Sequence, residues 1–312
     1  MSNEHIPVAL ERTVELLTPA LMGPSPALID ATLGLGGHTE FLLEKFTTLQ
    51  VIGIDRDKSA LEKANARLAR FGNRVTLVHA VYDHIDEVAR EQGFASVQGI
   101  LFDLGVSSMQ LDTSNRGFAY SHDAPLDMRM DQSSGISAGE VVNTYSHEEL
   151  TRILRVYGEE KFASRIAAKI IDARKVTPLT STVELANLVK ESIPAATRRI
   201  GGNPAKRTFQ ALRIYVNNEL EILERAIPAA LELLAINGRM VVLSYHSLED
   251  RIVKRAFAQV SSSEVPHGLP VEPKAAGFQL LTRSSESASD EEVSTNPRSQ
   301  SVRIRAIERR AA

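Results

Sequence analysis

The chain has no cysteine and no tryptophan. Without thiols there are no disulfides, no thiolate metal sites and no iron–sulfur clusters. That excludes radical chemistry on a cysteine-bound cluster, and pyrimidine C5 methylation through a cysteine adduct. Long apolar runs are missing as well, and none approaches the ~20 residues of a membrane-spanning helix. The start, Met1-Ser2-Asn3-Glu4-His5, has no basic segment leading into an apolar one. No signal peptide and no membrane partner are therefore expected, and the reading is cytoplasmic. Net charge is −3, so the chain has no overall basic footprint and any nucleic-acid face must be local. None of the eight histidines forms a tight pair at metal-ligand spacing, and no metal is assigned.

At 312 residues with 43% hydrophobic content, the chain can bury a full core in one large domain or two modest ones. Its most informative stretch is Asp30-Ala31-Thr32-Leu33-Gly34-Leu35-Gly36-Gly37-His38-Thr39. An apolar run, Ala27 to Ile29, precedes it and a helical pattern from Phe41 follows. Strand, glycine turn and helix start together suit an anionic or nucleotide-like ligand. The dinucleotide fingerprint G-x-G-x-x-G needs glycine where Thr39 stands, so the match fails. A second apolar strand, Val51 to Ile54, ends in Asp55. An acid about 20 positions past the glycines can accept bonds from both ribose hydroxyls. Asp30, just ahead of the glycines, would repel a pyrophosphate and favour an ammonium, so the loop suits S-adenosylmethionine better than NAD. A turn that merely connects strand to helix is the plainer alternative.

Strands are expected at 27–32, 50–54, 75–78 and 99–103, with helices between them. That alternation predicts an α/β fold with a parallel sheet covered on both faces. The alternation stops after Gln110. A polar stretch, 111–137, precedes three expected helices, two of them announced by capping boxes at Ser146/Glu149 and Ser181/Glu184. The predicted organisation is a sheet domain in two parts, 1–109 and 206–312, around an inserted helical domain, 110–205. A long helical region from Thr208 to Leu234, bent at Pro228 and ended by Gly238, leads to a strong strand at 240–244. Residues 248–257 are helical and 261–277 form a loop. Two closing strands, 278–282 and 302–307, make an antiparallel pair, and the acidic, serine-rich segment 284–297 between them is expected to be mobile.

In such a sheet, ligands sit beyond the carboxyl ends of the strands. The residues there are Gly34, Gly36, Gly37 and His38, then Asp55, Tyr82, Asp103 to Gln110, and Tyr245-His246-Ser247. Tyr82 either stacks on an adenine or simply packs, and Asp55 alone would often be a helix cap. Lys161, Arg165 and Lys169 share a helical stripe at four-residue spacing. Arg198, Arg199, Lys206, Arg207 and Arg213 follow with no acid among them. Two basic clusters in or beside one insertion favour a phosphate-binding surface over an ordinary solvated face.

These stretches resemble the bacterial ribosomal RNA small subunit methyltransferase H (MraW) family. The resemblance is carried by residues 30–39, 103–108, Pro125-Leu126-Asp127-Met128-Arg129-Met130, Tyr157 to Ala163, Lys206 to Ile214 and Ser244 to Arg251. It runs from about His5 to the last strand. It implies a class I S-adenosylmethionine-dependent methyltransferase, Rossmann-like with a mainly parallel sheet, carrying an inserted helical domain. It further implies methylation of the exocyclic N4 of a cytidine in the decoding region of 16S ribosomal RNA in the small ribosomal subunit. By resemblance, Gly36, Gly37, His38, Asp55, Tyr82, Asp103 and Gln110 contact the donor. Asp103 and Asp127 are the candidate catalytic acceptors for the amine. Arg129, Lys161, Arg165, Lys206 and Arg207 are expected to meet RNA. Two rivals stay open: an amino-methyltransferase acting on DNA or protein, and a non-catalytic, donor-sensing RNA-binding assembly factor. Apolar residues on the insertion also leave open a homodimer. After Asn-Pro-Arg-Ser, Gln300 and Val302 depart from the family pattern, which touches only contacts of the tail.

Overall fold

The computed structural model describes residues 7–107, 109–110, 115–195, 203–262 and 276–310. Arg198, Arg199, Ser108, the N-terminal 1–6 segment and most of the expected 261–277 loop lie outside them. The chain divides into two compact units, 1–105 with 220–312, and 106–219.

The first unit is built on a seven-stranded sheet. Its strands are β1 (Ala27–Asp30), β2 (Gln50–Asp55), β3 (Val75–His79), β4 (Val97–Asp103), β5 (Leu234–Ser244), β6 (Phe278–Leu280) and β7 (Arg303–Arg309). They lie in the order β3-β2-β1-β4-β5-β7-β6. β1 to β5 pair in parallel, while β7 runs antiparallel to both β5 and β6. This is the class I methyltransferase arrangement, an α/β sheet closed by one reversed strand.

Alternate residues of one strand feed opposite cores, because side chains switch faces at each step. Ile29, Ile54, Ile100, Phe102, Met240 and Val242 face one layer. It is completed by helices α4 (Ile85–Glu91), α10 (Glu219–Leu233) and α11 (Ser247–Ser261). Leu28, Val51, Leu101, Val241 and Leu243 face the other. There α1 (Leu10–Leu17), α2 (Gly37–Lys45) and α3 (Lys58–Leu68) pack. With both faces covered, the central strands read as unbroken apolar runs, which is why the sequence reveals them.

The second unit is helical, with α5 (Ala138–Thr144), α6 (His147–Gly158), α7 (Ala163–Val176), α8 (Thr182–Ser192) and α9 (Lys206–Asn217). Capping boxes start α5, α6 and α8, from Ser137, Ser146 and Ser181. Leu150, Ile153, Ile166, Ile170, Leu185, Val189, Phe209 and Leu212 form its core, joined by Leu126, Met128 and Met130 from the polar stretch.

Three expectations change. The long helical region breaks at Asn218, which takes a left-handed φ of 52°, while α10 continues through Pro228. α9 therefore belongs to the helical unit, which runs to residue 219. β5 begins at Leu234, so Gly238 lies inside the strand, at a register shift opposite Val97 and Gly99. The segment expected to be mobile is anchored. It holds a short helix, α12 (Asp290–Thr295), and Glu286 bridges Ile304 in antiparallel fashion. Glu286 also takes two bonds from Arg12, at 2.8 and 3.0 Å.

Candidate functional site

After β1 the chain turns through Gly34 and Gly36, at φ 53° and 76°. Gly36 caps α2 in the left-handed region, which costs an L-residue about 1–2 kcal/mol. A Cβ there would also stand 3.0 Å from Leu68 Cδ1, and one on Gly37 would stand 2.6 Å from Pro7 Cγ. Glycine is therefore required at both positions by conformation or by space.

Asp30 does not present its acid to a ligand. It is buried, with Oδ2 accepting from the Thr39 hydroxyl at 2.7 Å and Oδ1 from the Thr32 N–H at 3.4 Å. Burial pushes its pKa up to about 6. It braces the turn from within, which corrects the expectation that it greets an ammonium. Asp55, at the end of β2, accepts from the Gly34 N–H at 2.7 Å and the Asp57 N–H at 2.8 Å, one on each oxygen. Burial raises its pKa to about 6. A carboxylate offers about four acceptor sites, so vicinal hydroxyls still have lone pairs to meet.

Asp103 ends β4. Its N–H donates to Thr32 Oγ1 at 2.5 Å, and the Tyr245 hydroxyl donates to its Oδ1 at 2.6 Å. Its side chain keeps 27% of its surface exposed. Burial pushes its pKa up to about 7, against the lowering pull of the Tyr245 bond. Tyr245 is itself held well above the usual phenol range, by burial and by the Asp103 charge, so it remains a donor. His38 Nδ1 lies 3.7 Å from Asp103 Oδ2, while Nε2 is 3.0 Å from the Val8 carbonyl. A carbonyl only accepts, so Nε2 carries the hydrogen and Nδ1 the lone pair. Burial holds the imidazole below its ordinary pKa, which keeps it neutral near pH 7. Tyr82 opens a 3-10 turn after β3 and meets Phe102 edge-on, with centroids 5.6 Å apart.

These residues stand on parallel strands, so one edge of the sheet collects the glycine turn, His38, Asp55, Tyr82, Asp103 and Tyr245. Such an edge can hold a nucleoside and a cationic group. Sequence reasoning named Tyr245 at a strand end but gave it no task. The signal was its place one residue past β5, the strand beside Asp103. The roles of Thr32 and of the Val8 carbonyl had no signal, since both depend on tertiary contacts.

The remaining expected residues lie in the helical unit. The Gln110 side-chain carbonyl accepts from the Ser107 N–H at 3.0 Å. Asp127 is bidentate with Arg129: Oδ1 accepts from Nε at 2.9 Å and Oδ2 from Nη2 at 2.8 Å. Although burial opposes it, that guanidinium keeps the Asp127 carboxyl below the usual range. Arg165 and Lys169 are exposed on α7. Lys161 is exposed too, but falls in the turn before α7 rather than on its stripe. Lys206 and Arg207 are exposed in the first turn of α9, while Arg213 is engaged by Glu219 at 2.9 Å. Among the described residues no group of acids and histidines has the makings of a metal site.

The family model described as the MraW methylase family matches residues 2–310. The chain belongs to the MraW methylase family. Among similar proteins, the ribosomal RNA small subunit methyltransferase H of Parafrankia sp. is 57% identical over 314 residues, covering 100% of this chain and 96% of that protein. The protein of the same name from Salinispora tropica is 59% identical, over 98% of this chain and 84% of its own length. Streptomyces avermitilis has another at 54% identity, covering 98% and 97%. In this MraW methylase chain the glycine turn, Asp103 and the Asp127–Arg129 pair all fall within the matched residues. No helix among the described residues is long and apolar enough to cross a membrane.

Proposed function

We propose that this chain transfers a methyl group from S-adenosylmethionine to the exocyclic N4 of a cytidine in the decoding region of 16S ribosomal RNA. Membership of the MraW methylase family supports methyl transfer. The names of relatives at 57% and 59% identity support the small-subunit RNA as substrate. The observation that carries the chemistry is Asp103, a partly exposed carboxyl at the ligand edge of the sheet, steadied by Tyr245 and Thr32.

The residues fit the donor. Gly36 and Gly37 give the turn its shape, with Gly36 left-handed and Gly37 packed on Pro7, and are proposed to meet the donor through their backbone; Asp55 has acceptor sites for ribose hydroxyls, and Tyr82 offers an aromatic ring. His38 and Gln110 complete the set of proposed donor contacts. A bound donor supplies an electrophilic sulfonium methyl. The cytosine amine is a weak nucleophile, because its lone pair is delocalised into the ring. An ionised Asp103 accepting from the amine hydrogens localises that lone pair and fixes its direction. As the N–C bond forms, the amine must lose a proton, and a carboxyl with pKa about 7 is suited to receive it. Asp127 is the second candidate acceptor. Its Arg129 partner keeps it ionised, so it can orient the amine but not hold its proton near neutrality. Lys161, Arg165, Lys206 and Arg207 supply exposed cations for RNA phosphates, whereas the Arg129 guanidinium, also proposed to face RNA, is engaged by Asp127.

The test is incubation of small ribosomal subunits, from cells lacking this gene, with the protein and methyl-labelled donor. Label in the RNA is the expected result. Label confined to DNA or protein substrates, or none despite intact donor binding, overturns the proposal.

A further inference from the structure

Three consecutive residues ahead of α1 join parts of the sheet unit that are far apart in sequence. Pro7 lies against the glycine turn, where Gly37 has no room for a Cβ. The Val8 carbonyl accepts from His38 Nε2 at 3.0 Å. The Ala9 N–H donates to Glu292 Oε1 at 2.6 Å, across 283 positions of sequence. Ala9 sits at φ 53°, ψ 33°, a left-handed conformation unfavourable for any residue with a Cβ. Such a residue persists only where its surroundings hold it. Glu292 is the charged group that does so, and it is itself fixed. Its own N–H donates to the cap Ser289 at 3.2 Å.

A neutral imidazole takes either tautomer, and the bond made by one nitrogen decides what the other can do. Here the Val8 carbonyl makes that choice, and Ala9 sets where the carbonyl points. We infer that Glu292 is a positioning residue: through Ala9 and Val8 it holds His38 as the Nε2–H tautomer, with the Nδ1 lone pair toward Asp103. This rests on the proposed reading of His38 and Asp103 as donor-site groups. The C-terminal acidic segment, far from the glycine turn in sequence, thereby sets the hydrogen-bonding character of that turn.

The test uses the full chain labelled with 15N-histidine. Long-range 1H–15N correlation reads the His38 tautomer directly, and calorimetry reads S-adenosylmethionine affinity. Glu292→Ala is expected to mix the tautomers and weaken donor binding about tenfold, the scale of removing one hydrogen bond to a charged group. Glu292→Gln keeps an acceptor for the Ala9 N–H and is expected to restore the single tautomer. Glu286→Ala removes the Arg12 pair and should leave the tautomer unchanged. If Glu292→Ala does not fold, Glu292→Asp, one methylene too short to reach Ala9, carries the same expectation. A single Nε2–H tautomer in every Glu292 variant overturns the inference, as does an equal change in Glu286→Ala. Failure of the wild type to bind the donor, with the tautomer pattern as expected, counts against the proposed function and leaves the positioning intact.

Discussion

Asp103 answers two opposing demands. In the proposed reaction its carboxyl must be ionised to accept from an amine, yet its burial favours the protonated form. The folded chain keeps the proton up to about pH 7, whereas the unperturbed group releases it near 3.8. Between those values the folded state binds more protons, so stability falls as pH rises through that window. Asp103→Asn removes the penalty. It is expected to raise the melting temperature near neutral and alkaline pH, with the gain fading below about pH 4, as thermal scans across pH would read. The same substitution should lower kcat/KM at least ~100-fold. A more stable, inactive variant is the signature of a group kept for chemistry at the expense of the fold. Tyr245→Phe removes the donor that pulls the Asp103 pKa down. The rising limb of the pH–rate profile should then move to higher pH, and an unmoved limb would count against Tyr245 acting through Asp103.

At the scale of elements, Asn217 is the residue on which the loop of the helical unit depends. It is buried at the end of α9. Its Oδ1 accepts from the Met130 N–H at 2.7 Å, and its Nδ2 donates to the Met128 carbonyl at 2.7 Å. Met128 has a φ of 62°, so this loop is held in a strained form between Asp127 and Arg129. Asn217→Ala is expected to destabilise the helical unit by about 2–3 kcal/mol through unpaired buried groups. Hydrogen exchange at the Met130 amide measures the effect, and unchanged protection would remove Asn217 from the account. The same residues mark what sequence could and could not reveal. Strands were legible because both sheet faces are covered and the apolar runs are continuous. The capping boxes at Ser146 and Ser181 were legible because they are purely local. The break at Asn218 lost out to Pro228 as the expected bend. Asn at a helix C-terminus is a usable signal, whereas Pro228, the residue at which a bend is expected, is accommodated within α10. The anchoring of 284–297 was illegible for a different reason. Its composition is that of a mobile segment, and only long-range partners such as Arg12 and Ala9 reveal that Glu286 and Glu292 are held.

For the whole molecule, a net charge of −3 means that RNA affinity must come from a few exposed cations. Lys206→Ala with Arg207→Ala should weaken ribosomal RNA binding evenly across sequences. The slope of log K against log salt should become shallower by about 1 for each phosphate no longer neutralised. Filter binding across a salt series reads both effects, and an unchanged slope would remove α9 from the RNA face. The gathering of Gly36, His38, Asp55, Tyr82, Asp103 and Tyr245 at one end of the sheet was legible because strand ends are predictable once the strands are. The work of its individual acids was not, since Asp30 and Asp103 look alike in sequence and differ only in what surrounds them. The central claim, methyl transfer to a cytidine amine directed by Asp103, is tested most directly by nucleoside mass spectrometry. Small subunits from cells lacking this gene are incubated with methyl-labelled donor and either wild type or Asp103→Asn, then digested to nucleosides. Labelled N4-methylcytidine with the wild type, and its near absence with the variant, is the predicted result. Label on another atom or base, or equal label with both proteins, would contradict the account.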